Sequence, residues 1–77
     1  MDEAEQAKRR RDAASRHEQS AALHDDAANY WGSKGDAELA DLERRTANLE
    51  RAGAEIERDR ARLFEKRAGV EDAERTS

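Results

Sequence analysis

Along the second half of the chain, large apolar residues return every seventh position: Leu42, Leu49, Ile56, Leu63 and Val70. Ala40, Ala47, Ala54, Ala61 and Ala68 keep the same period two residues earlier. At about 3.6 residues per turn, seven residues make nearly two turns, so each series draws one stripe along a helix. The blocks Leu42-Glu43-Arg44, Leu49-Glu50-Arg51 and Ile56-Glu57-Arg58 restart one phrase, which predicts a long helix made to lie against another.

The first half carries its own phase in smaller residues. Ala7, Ala14, Ala21 and Ala28 recur, flanked by Ala13, Ser20 and Ala27, with His17, His24 and Trp31 on the same face. Asp2, followed three residues later by Glu5, predicts a helix start. Gly32-Ser33-Lys34-Gly35-Asp36 is the one clear break, with Gly to end a helix and Asp36 to cap the next. The reading is all-α: one helical-hairpin domain over residues 1–77, with helix 1 about 2–31, turn 32–36, helix 2 about 37–70 and a frayed tail 71–77. Gly53 and Gly69 each cost about 1 kcal/mol relative to Ala inside a helix, which predicts fraying near Gly69 and tolerance of Gly53 through packing.

Small residues on one helix and large ones on the other predict a closed antiparallel, coiled-coil-like pair, with Trp31 near Leu42, His24 near Leu49 and His17 near Ile56. Leu23, Tyr30 and the second Ala stripe fall off that face and are expected to stay exposed in a monomer. Covering them predicts a homodimer in the form of a four-helix bundle. The interface residues are Trp31, Leu39, Leu42, Leu49, Ile56, Leu63 and Phe64, with Leu23 and Tyr30 as the second contact. Replacing Leu49 and Ile56 by Ser should on this reading abolish association and folding together. A parallel coiled coil through helix 2 is the weaker arrangement, because Thr46, Gly53, Arg60 and Arg67 occupy the partner positions of its seam.

Composition sharpens the picture. Sixteen of 77 residues are Ala, and only eleven are large and apolar, so the core is thin and a lone monomer marginal. A charged fraction of 44% without Pro fits either a long helix or disorder, and opposite charges at helical spacing favour the helix. Asp12 with Arg16, Asp41 with Arg45, Arg67 with Glu71 and Glu71 with Arg75 stand four apart. Cys is absent, which excludes disulfides and thiolate chemistry, and no apolar run reaches the length of a signal segment or membrane span. The expectation is a cytoplasmic protein without membrane contact, and the preference for Arg over Lys suggests GC-rich bacterial coding.

Candidate chemistry is sparse. His17 and His24 lie about 10 Å apart along a helix, too far to share one ion. Ala21 stands where a metalloprotease helix needs its second His, and Ala14 and Ala21 stand where a di-iron bundle needs Glu. Only a metal shared across a dimer axis is left open. Set against small residues at a helix interface, the two histidines are candidate pH-sensitive positions, where protonation places charge in the seam and weakens it.

Lys8, Arg9, Arg10 and Arg11, with Arg16 nearby, could contact phosphates, so a small nucleic-acid-binding regulator is the alternative function. The stretch Arg11 to Arg16 resembles the basic region of leucine-zipper DNA-binding proteins over six residues, with Asp12 where that family reads bases with Asn. A net charge of −4 argues against this partner, and an acidic tail at Glu71, Asp72 and Glu74 would lie opposite the basic cluster in a closed hairpin. Tyr30-Trp31-Gly32 is similar to the WXG family of small helical hairpins, although Gly32 here follows Trp31 directly. Neither resemblance contributes a functional residue. No phosphate loop, nucleophile and base pair, or cofactor motif is present, so the expected function is non-catalytic: a protein–protein interaction or oligomerisation module whose partner is a second copy or another helical protein.

Overall fold

A computed structural model describes residues 1–76, with backbone alone for Glu71, Asp72, Arg75 and Thr76. Two helices, α1 (Glu3–Ser33) and α2 (Ala37–Thr76), pack against each other as an antiparallel hairpin measuring 64 × 14 × 13 Å. Among the described residues there is no strand.

Both helix starts follow from local chemistry. The Asp2 carboxylate accepts from the Glu5 amide at 2.7 Å, satisfying one of the free N–H groups of the first turn. Asp36 does the same for α2, accepting from the Leu39 amide at 3.0 Å. Between the helices, the Asp36 amide reaches the Trp31 carbonyl at 2.9 Å and the Gly35 amide reaches Gly32 at 3.1 Å. This nested pair of bonds closes a helix through a left-handed residue, and Gly35, at φ +80°, supplies it. α1 therefore runs two residues past the expected end and takes in Gly32. α2 continues through Gly69 to Thr76, beyond the boundary at 70; of the expected tail, Ser77 lies outside the described residues.

The seam corrects the expected pairing. Ala7, Ala14, Ala21 and Ala28 of α1 are buried, and opposite them so are Ala40, Ala47, Ala54 and Ala61 of α2, with Ala47 and Ala54 at 0% exposure. The α2 alanine stripe, expected at the surface, is the core. Leu42, Leu49, Ile56, Leu63 and Val70 are exposed instead, at 46–73%. Leu42 lies two residues beyond Ala40, about 200° around the helix, so one stripe inside puts the other outside.

The physical reason lies in the residues that travel with each stripe. Three residues after the α1 alanines stand Arg10, His17 and His24; three after the α2 alanines stand Glu43, Glu50 and Glu57. Closing the alanine seam brings these columns face to face. Turning α2 to bury leucine would carry the glutamates away from their partners. Methyl-sized side chains also let the two backbones approach closely enough for short polar contacts beside the seam.

Candidate functional site

A ladder of polar pairs flanks the seam. His17 Nδ1 lies 2.5 Å from Glu50 Oε2, His24 Nδ1 lies 2.6 Å from Glu43 Oε2, and Arg10 donates to Glu57 at 3.3 Å. Each rung steps seven residues up one helix and seven down the other, so one register sets them all. On the other side of the seam a second ladder pairs Arg11 with Glu65, Glu18 with Arg58, and Asp25 with Arg51.

The histidines sit half-covered at the helix interface, but their neighbours are glutamates rather than Ile56 and Leu49. Each ring therefore meets a carboxylate across the seam rather than alanine alone. Gly53 makes room for one of them: a Cβ there would stand 3.3 Å from the His17 ring. Packing therefore accommodates Gly53 inside α2.

Glu57 is the one buried charged residue among those described, at 7% exposure. Burial pushes its carboxyl pKa up, but hydrogen bonds from Arg60 and Arg10, together with their positive charge, outweigh this and hold it below the ordinary 4.5. One heptad further, the register places Glu3 opposite Phe64, which offers no donor. Glu3 Oε2 is accordingly covered without a hydrogen bond, as is Arg10 Nε.

Three of the four residues of the basic cluster are paired. Lys8 pairs with Asp12 at 3.4 Å, Arg10 with Glu57 and Arg11 with Glu65, which leaves Arg9 of the four. Asp12 thus takes Lys8 rather than Arg16, whereas Asp41 and Arg45 pair at 3.7 Å. The expected pairing with Glu71 and Asp72, and the pairs of Glu71 with Arg67 and Arg75, fall on side chains outside the described residues.

Among the described residues no cluster of three or more His, Asp or Glu could hold a metal ion, and no helix is long and apolar enough to cross a membrane. At the turn, Tyr30 and Trp31 stack edge to face at 5.1 Å and Lys34 lies over the Tyr30 ring.

The longest row of exposed large apolar residues among those described lies on the outer face of α2. Leu42, Leu49, Ile56, Leu63 and Val70 form an uncovered ridge along most of that helix, with Leu39 exposed beside its start. Near its far end, Leu63 and Val70 share a shallow groove with Glu3, Lys66 and Arg67. Leu23 and Tyr30 are exposed on α1. Partly covered Trp31 and Phe64 belong instead to the column facing the partner helix, so the expected interface set divides between two surfaces. The signal that could have separated them was the charge three residues after each stripe: basic on α1 and acidic on α2 behind the alanines.

Comparison with known families, characterised proteins and solved structures gives no match.

Proposed function

We propose that this chain is a non-catalytic oligomerisation module whose partner is a second copy of itself, two hairpins giving a four-helix dimer. The observation that carries the reading is the ridge from Leu42 to Val70, five positions at heptad spacing left uncovered by the hairpin's own α1. Isolated apolar residues on a surface need no explanation, but five at regular heptad spacing along one helix face support a contact site. Covering one such side chain fully contributes about 1.5 to 3 kcal/mol, so pairing two ridges yields a driving force that a thin alanine seam lacks.

Light scattering across a concentration series, with helicity followed in parallel, tests the proposal. A mass rising toward twice 8.7 kDa is expected, and the Leu49→Ser, Ile56→Ser double variant should stay helical while losing association. A helical monomer at every concentration would overturn it.

A further inference from the structure

The self-association proposed above leaves open how two ridges meet, and the residues beside the ridge answer this. In the hairpin, a seam pair such as Ala14 and Ala54 leads to a polar pair by a fixed step, three residues up one helix and four down the other: His17 and Glu50. The same step from Ala21 and Ala47 reaches His24 and Glu43, and from Ala7 and Ala61 reaches Arg10 and Glu57. The column three residues after the seam is thus where this chain places charges that face each other.

On the outer face of α2 the equivalent column follows Leu42, Leu49, Ile56, Leu63 and Val70 by three residues, as Arg45, Ala52, Asp59, Lys66 and Ala73, and extends one heptad earlier to Glu38. Its charges are antisymmetric about Ala52. Seven residues to either side stand Arg45 and Asp59, and fourteen to either side stand Glu38 and Lys66. From these charges we infer that two copies join through α2 in antiparallel order about a twofold axis at Ala52. Leu42 then lies beside Leu63 of the second copy and Leu49 beside Ile56. The step of three and four from those pairs arrives at Arg45 with Asp59 of the second copy, and at Ala52 with its own counterpart. All four charged positions of the column meet the opposite sign.

In parallel order each would meet its own kind, and the column would carry four like-charge contacts. At the axis Ala52 is small enough to let the helices close. Arg45 and Asp59 hold Asp41 and Arg62 within their own helix, but those pairs are solvent-exposed and therefore weak, so they yield to or share with a partner across the axis. Because the ridge lies on the far side of α2 from the alanine seam, the four helices form a row, α1 and α2 of one copy followed by α2 and α1 of the other. Leu23 and Tyr30 on α1 remain uncovered in this assembly.

The chain has no Cys, so one introduced thiol can be spin-labelled without background. Ala37→Cys lies at the exposed start of α2, away from the ridge. Antiparallel order about Ala52 separates the two labels by about 45 Å along the axis, at about 1.5 Å per residue. Arg45→Asp and Asp59→Arg should each weaken the dimer about tenfold, since each places two like-charge contacts in the symmetric interface, and the double variant should recover the parent affinity. A short inter-label distance means parallel order, and a shift of about 10 Å means a heptad slip. Either result, or failure of the double variant to recover, overturns this register while leaving self-association intact. Monomeric mass at every concentration overturns both.

Discussion

The alanine seam makes an inverted prediction about substitution. At position 47 a larger apolar residue should harm the hairpin, whereas at position 49 loss of a large apolar residue should harm it little. Ala47 is 0% exposed in the seam between the two helices. Leucine there overfills the seam, which costs about 1 to 3 kcal/mol in tightly packed sites. Relief by moving the helices apart would also break the contacts of His24 with Glu43 and His17 with Glu50, each worth about 0.2 to 1 kcal/mol. Leu49 is 73% exposed. With about a quarter of the side chain covered, Leu49→Ser forfeits about 0.4 to 0.8 kcal/mol of burial and a few tenths in helix propensity. For a domain of this size, 1 kcal/mol moves the melting midpoint by about 4 to 8 °C. Leu49→Ser should therefore lower the midpoint by about 4 to 8 °C and Ala47→Leu by about 10 to 20 °C. Both are to be measured by circular dichroism at a concentration where light scattering reports a monomer. If Leu49→Ser were the more damaging change under those conditions, the leucine ridge rather than the alanine stripe would be the seam. The expectation that Leu49 and Ile56 serve association and folding together gives way to a separation of the two.

Three other predictions concern the ladder. Gly53→Ala should gain less than the ordinary helix-propensity difference of about 1 kcal/mol, because its Cβ crowds the His17 ring, and the full gain should return in a His17→Ala background; equal gains in both backgrounds, by urea titration, would contradict the contact. His24→Asp, facing Glu43, should destabilise the hairpin by about 1 kcal/mol, and adding Glu43→Lys should recover most of it; a swap variant no more stable than His24→Asp would remove this rung from the account. The Glu57 pKa is lowered from 4.5 in the folded state, so its stabilisation is complete above the ordinary carboxylate value and disappears as pH falls through the lowered one. Glu57→Gln should therefore be less stable than the parent at pH 7, with the difference shrinking as pH falls below the ordinary carboxylate value of 4.5; a difference that stays constant in acid would refute the linkage.

Much of the architecture is written in single residues and their spacing. Asp2 and Asp36 mark the helix starts because a carboxylate one turn ahead satisfies free amides. Gly35 marks the turn because a left-handed residue must close α1, and the seven-residue period marks both helices as packing elements. Those signals are local, involving groups a few residues apart, so they can be read without knowing what lies opposite. Which stripe of α2 turns inward is of another kind. Ala40 to Ala68 and Leu42 to Val70 obey the same period, and side-chain hydrophobicity alone ranks leucine as the core. The outcome depends on how closely two backbones approach and on whether Glu43, Glu50 and Glu57 find His24, His17 and Arg10. Those are distances between residues 19 to 47 positions apart in the chain. Only the assembled hairpin decides them, and by placing alanine in its seam it leaves leucine exposed.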